Sequence, residues 1–238
     1  MRGGDVTGHG DAAAIEVLGT LAVRGVLLEV AEDFRARTGL SFAASYKSTN
    51  AQLIAISAGA TGDVAIMTRQ GIDQLVGEGK IVAGSTADIA QSGVGLAVRA
   101  GAPKPDIATV EAFKRTLLAA KSIAFSRIGA SGIHFAEVIE RLGIAAEIRR
   151  KATIGDSDVG EIAARGEAEL AVQQISELMP VAGIDVVGPL PGDLQKISVF
   201  AGGVFTAARN PAGAAKLVSY LASPELAPIL ARKGLSPP

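Results

Sequence analysis

Four short segments of this sequence share one design: an apolar run ends, a polar or glycine-bearing loop follows, and a helical pattern begins. They are Gly19-Thr20, Lys47-Ser48-Thr49-Asn50, Ser126–Gly132 and Gly155–Asp158. The first N–H groups of a helix lack partners within it, and with the helix dipole they favour a negative ligand. In any one loop, Ser, Thr or Asn at such a position is an ordinary cap. Several such loops gathered at the carboxyl ends of parallel strands make a cleft for an anion. No loop matches GxxxxGK[ST] or GxGxxG, so nucleotides are disfavoured and the anion should be small.

Two other residue types bear on that anion. Arg24, just after the first loop, has the fork geometry to pair with a carboxylate, or else is a solvated helix residue near Glu29 or Glu32. A tetrahedral oxyanion held by neutral donors needs no such charge, so Arg24 tilts the expectation toward an organic acid. His134, inside the helix after the third loop, is either a ligand contact and candidate base or a hydrogen-bonded structural histidine. No nucleophile–base pair and no paired carboxylates stand out.

Composition narrows the classes. The chain has 238 residues, 48% of them apolar, which is ample for a buried core in one large domain or two small ones. With 23 basic and 24 acidic residues the net charge is -1, so nucleic acid is not expected as a partner. There is no cysteine and there are only 2 histidines, which excludes a disulfide, a thiolate nucleophile and a zinc cluster; neither metal nor cofactor is expected. No run approaches the roughly 20 apolar residues of a membrane span, so no membrane insertion is expected. The start, MRGGDVTGHGDAAA, carries no apolar run of the kind a secretory signal needs; it reads as a polar tail, His9 has no assigned role, and the compartment stays open.

The elements that must position the loops read as α/β, with short apolar runs alternating with segments of helical period. Strands are expected at Ile15–Leu18, Phe42–Tyr46, Asp63–Met67, Ser92–Arg99, Ser122–Phe125, Leu170–Gln174, Asp185–Val187 and Lys196–Phe205. Helices are expected from Leu21 to a stop at Gly39, around Leu53–Ile56, and at Gly71–Glu78, Val110–Ala120 and Ile133–Leu142. The spacing of Asp158 and Glu161 suits a capping box, and Asn210-Pro211 and Ser223-Pro224 open the last two helices.

Several blocks then acquire a collective meaning: FRARTG at Phe34–Gly39, KSTNAQL at Lys47–Leu53, GDVAIMT at Gly62–Thr68, RGEAELAVQQISE at Arg165–Glu177, and the closing Ala214–Leu235. Their order and spacing, over roughly Ile15 to Leu235, resemble the molybdate-binding-like branch of the type II solute-binding proteins that serve ABC importers. The resemblance implies a two-lobed periplasmic-binding-protein-like fold, each lobe a mainly parallel sheet flanked by helices. Its crossing strands would be Ser92–Arg99 and Lys196–Phe205, giving lobe one as 1–98 plus 200–238 and lobe two as 99–199. It further implies a small anion between the lobes, an ABC permease as partner, a monomer, and a periplasmic or extracytoplasmic location.

By that resemblance, Thr20, Ser48 and Thr49 supply contacts from lobe one, and Ser131, Gly132, Asp158 and Val159 supply them from lobe two. Gln173 or Gln174 falls where the molybdate binders tend to place a tyrosine. That substitution, and GTLAVRG in the first loop in place of an alanine- and serine-rich run, turn the expectation from molybdate toward a small carboxylate. Proteins similar to this family include isomerases that move a proton between carbons of aconitate-like tricarboxylates. Such chemistry needs a carboxylate clamp and a base, for which His134, Lys47 and Tyr46 are the candidates. Solute receptor leads, isomerase is the alternative, and an anion-sensing effector domain is third.

Overall fold

The computed structural model describes residues 14–155 and 158–238; the polar start with His9 and part of the fourth loop lie outside them. One half is built around β1 (Ile15–Thr20), β2 (Phe42–Lys47) and β3 (Val64–Thr68), which pair in parallel in the order β2-β1-β3. The helix α1 (Arg24–Thr38) returns the chain from β1 to β2, and α2 (Thr49–Ser57) returns it from β2 to β3. Each is a right-sized crossover for a parallel pair. Gly39 ends α1 with φ 70°, a left-handed turn that a side chain would strain.

After α3 (Arg69–Gly77) the chain enters the long strand β4 (Ala87–Arg99), which changes partners along its length. Ala87–Gly93 pairs antiparallel with β9 (Ile197–Val204), and β9 in turn pairs with β3. Val94–Arg99 pairs with β7 (Leu170–Gln174) and β8 (Ile184–Pro189). The second half then adds β5 (Ile123–Ser126) and β6 (Ala152–Gly155), parallel to each other and to β7.

Its helices are α4 (Val110–Ala119), α5 (Ala130–Arg141), α6 (Ala145–Arg150), α7 (Val159–Ala164) and α8 (Ile175–Leu178). The chain closes on the first half with α9 (Pro211–Leu221), a 3-10 turn at Pro224–Leu226, and α10 (Ala227–Arg232). Asn210 and Ser223 cap the two openings as their Pro neighbours predicted.

The expected α/β, two-lobed architecture is therefore observed: a parallel wing of three strands in each lobe, with antiparallel strands between them in one continuous path. Each lobe has its own apolar centre. Val17, Val30, Phe34, Val64, Phe200 and Leu217 pack together in one, and Leu96, Phe113, Leu117, Phe135, Ile139 and Val172 in the other. No helix among the described residues is long and apolar enough to cross a membrane.

Where β4 changes partners, one side chain substitutes for a strand. The amide of Gln195 accepts from the Val94 N–H at 2.8 Å and donates to the Val94 carbonyl at 2.9 Å. Gly93 makes room for it, since a Cβ there would lie 2.9 Å from the Gln195 amide nitrogen.

Candidate functional site

Strand ends and helix starts converge between the two lobes. Thr20 ends β1 and precedes a 3-10 turn, Ser48 caps α2, Thr68 caps α3, and Gly129 precedes α5. All four residues line one inner cavity with Thr49, Ser126, Ser131, Gln173, Gln174 and Glu177. The convergence follows from topology: every β–loop–α unit of a parallel wing turns at the carboxyl edge of its sheet, and the two edges face each other.

The loops are held to one another as well as to their helices. Ser48 Oγ accepts from the Ala51 N–H at 3.3 Å and Thr68 Oγ1 from the Gly71 N–H at 3.3 Å, which are N-cap bonds. Thr49 Oγ1 accepts from the Thr68 N–H at 3.2 Å and so ties the second loop to the third strand. Beneath them, the buried Gln52 donates to the Gly19 carbonyl at 2.9 Å and fixes the first loop. Across the cleft, Ser126 Oγ gathers the Ile128 and Gly129 N–H groups at 3.3 and 3.0 Å. Asn50 spans the gap, donating to the Ile128 carbonyl at 3.0 Å.

Thr20, Ser126, Ser131, Gln173 and Gln174 are all at least 95% buried, so their polar atoms cannot rely on water. Gln174 donates to Ser198 Oγ at 2.8 Å, and its carbonyl oxygen has no partner among the described residues. A buried unsatisfied polar atom beside a cavity is what a bound ligand would satisfy. Replacing Ser48 by alanine removes a cap worth ~1 kcal/mol. A drop in Tm of roughly 2–4 °C should follow for a chain of this size, together with weaker anion binding, both readable in one thermal-shift titration.

Among the described residues that line this cavity, Glu177 is the one with an ionisable acid. It sits in α8, one turn after the paired glutamines, and accepts a hydrogen bond from Gln173 Nε2. Burial pushes its pKa up to about 7; the Gln173 hydrogen bond opposes the shift, and the like charge of Glu161 adds to it. A carboxyl group poised near neutrality inside a cleft of neutral donors can carry a proton in either direction.

The structure thus brings Thr20, Ser48, Thr49, Ser131, Gln173 and Gln174 to one place, and sets the other candidates elsewhere. Arg24 is exposed and lies over the Tyr46 ring, 5.8 Å from its centroid, because α1 begins one 3-10 turn after the loop and carries the side chain past the cavity. Gly132 is buried under the first turn of α5 against the backbone of Ser126. Asp158 stands at the N-cap of α7 as its spacing suggested, but its side chain makes no capping hydrogen bond; its carboxylate faces Arg165 at 3.6 Å, and the adjacent Val159 is fully buried in the lobe-two core. His134 is buried with Nε2 2.8 Å from the Leu194 carbonyl, an anchoring role, and Tyr46 and Lys47 are not among the lining residues.

Sequence reasoning missed two members. Thr68 was hidden because the third strand was ended one residue early; the T-x-x-G pattern before Gly71 was its signal. Glu177 gave no spacing signal, since its role depends on burial. Among the described residues, no cluster of three or more His, Asp or Glu is placed to hold a metal.

Known proteins match this geometry. A family model described as bacterial extracellular solute-binding protein matches residues 15–236. An aconitate isomerase from Pseudomonas sp is 36% identical over 230 residues, spanning 94% of this chain and 87% of that protein. The periplasmic molybdate-binding protein of Azotobacter vinelandii superimposes with a TM-score of 0.79 at 19% identity, covering 94% of this chain and 99% of the other. The sulfate-binding protein SubI of Mycobacterium tuberculosis gives 0.77 at 15% identity, covering 95% and 87%. At such identities these two structures speak for the fold alone, whereas the family match runs through both lobes and every loop of the cleft; the chain belongs to the bacterial extracellular solute-binding protein family.

Proposed function

We propose that the protein closes on an unsaturated polycarboxylate of the aconitate type and shifts a proton between two of its carbon atoms without a cofactor. Glu177 carries the reading: it is an acid near neutrality set among neutral donors, in a chain 36% identical to an aconitate isomerase. In this scheme the Glu177 carboxylate takes a proton from the substrate methylene, and the C–H electron pair spreads over the allylic carbons into the attached carboxylate. Charge developing there faces the N-termini of α2, α3 and α5 and the hydroxyls of Thr20, Ser48 and Ser131, which are already oriented. The same proton returns to the far carbon, the double bond moves, and Glu177 is regenerated.

The proposed hinge divides the chain near the expected 1–98 with 200–238 and 99–199. It lies slightly earlier on the outbound strand, at Gly93-Val94, where β4 exchanges β9 for β7 and β8. Closure buries the substrate and excludes water from the allylic intermediate.

A second reading is capture of a small anion outside the cytoplasm, as a monomer, for an ABC permease. Family membership and the neutral donors of the cleft favour it, as do relatives named for molybdate and sulfate. Purified protein should interconvert cis- and trans-aconitate in an ultraviolet assay and gain Tm with tricarboxylates. Tight binding of molybdate or sulfate with no turnover of aconitate would select the second reading instead.

A further inference from the structure

The inner cavity is too small for the whole of a polycarboxylate. Its free space is about 20 Å³, on the scale of a single water, against about 380 Å³ in the outer cleft that adjoins it. The two share Thr49, Thr68 and Ala130, so a molecule anchored by one carboxylate inside must extend into the outer cleft. The charges differ as well. Among the described residues the inner lining has no cation, whereas the outer lining includes Arg69 and Lys196.

Those two cations are not equivalent. Arg69 is engaged by Asp88, and lies 3.5 Å from Asp73, so most of its charge is already answered. Lys196 is exposed at the start of the return strand and has no ion-pair partner among the described residues. Beside it, Ser198 carries the hydroxyl to which Gln174 donates, linking this wall to the inner cavity. Ile133 and Ile197 give the same cleft apolar walls suited to a carbon skeleton.

We infer that the outer cleft is a second carboxylate subsite, with Lys196 the residue that selects polycarboxylates over monocarboxylates. This deepens the isomerase reading and rests on it for the first carboxylate lying in the inner cavity. Lys196 stands where β9 enters the cleft, so its ammonium answers the negative charge that the neutral inner donors leave unpaired.

The test is calorimetric titration of wild type, Lys196→Glu and Lys196→Gln with trans-aconitate, crotonate and sulfate, beside the ultraviolet assay. Wild type should bind trans-aconitate at least tenfold more tightly than crotonate. Charge reversal should weaken trans-aconitate roughly tenfold or more and the glutamine variant less, with the difference shrinking at high salt. Sulfate, held by the inner donors, should change less than twofold. Because Lys196 is exposed, unchanged Tm values check that the variants fold. Trans-aconitate affinity indifferent to Lys196, with turnover intact, would overturn the subsite and leave the isomerase reading standing. Lys196-dependent binding of trans-aconitate without turnover would support the subsite and sink the isomerase reading, while no binding of trans-aconitate would overturn both.

Discussion

Glu177→Gln is expected to stop proton transfer and at the same time make the folded protein more stable at pH 8. A positioned general base contributes roughly 10²–10⁴-fold to a proton transfer, and the amide cannot take its place. Stability moves the other way because the folded-state pKa of Glu177 stands near 7, above an ordinary value of 4.5. Below pH 4.5 the carboxyl is protonated in both states and costs nothing. As pH rises through the window from 4.5 to 7 the unfolded chain loses its proton first, so stability falls, and above 7 the loss is complete. The shift corresponds to on the order of 3 kcal/mol.

Glutamine is neutral at every pH and avoids that loss. Thermal unfolding at pH 4.5 and 8 should therefore show near-equal Tm at the lower pH and a variant several degrees higher at the upper. In wild type, kcat/KM for aconitate should rise through about pH 7 as the base ionises, while anion affinity falls over the same range because the ionised carboxylate repels the ligand. Turnover surviving in Glu177→Gln, or a variant less stable than wild type at pH 8, would remove Glu177 from this role.

Gly132→Ala should be among the most damaging single-methyl changes in the chain. A Cβ at this position would lie 1.7 Å from the Ser126 carbonyl oxygen, and that oxygen belongs to the backbone at the end of β5. The first turn of α5 must therefore lift away from the strand, carrying Ala130 and Ser131 out of the cavity. Overpacking of this kind costs about 3 kcal/mol, so Tm should drop by roughly 6–12 °C and anion binding should be lost. Gly77→Ala, at a site in α3 where the new methyl meets nothing within 4 Å beyond its own helix backbone and chain neighbours, is the control and should be neutral or slightly stabilising. Equal Tm for the two variants would mean that the α5 start is freer than its packing implies.

The legible part of this molecule was the part governed by local rules. Apolar period gave β7 at Leu170–Gln174 to the residue, and the Asn-Pro and Ser-Pro pairs gave both C-terminal helix starts. Strand β6 was implied by the loop at Gly155–Asp158 but given no bounds, and helix α6 was not foreseen, because ATIG and AAEIRR are too short to display a period. Hydroxyls at helix starts pointed to the cleft because a cap and an anion contact use the same N–H groups. Arg24, Asp158 and His134 lie off the cavity lining for the opposite reason. A charge beside a site in sequence faces it only if the helix phase allows, and phase depends on where the helix begins. Glu177 was invisible because its ordinary carboxyl becomes unusual only through desolvation by two lobes meeting.

The Gln195 clamp on Val94 bears on how the two halves are joined. A strand held across that crossing by a neighbouring strand could rotate only by tearing a ladder whose two sides are both main chain. A side-chain amide offers the same donor and acceptor on the end of rotatable χ bonds. Here it works beside main chain: Val94 also accepts from the Leu190 N–H at 3.1 Å and pairs with Gln174 of β7 on its other edge. The two halves are thus joined at the crossing partly through one side chain, and at the rim of the cleft by the single reach of Asn50 to the Ile128 carbonyl.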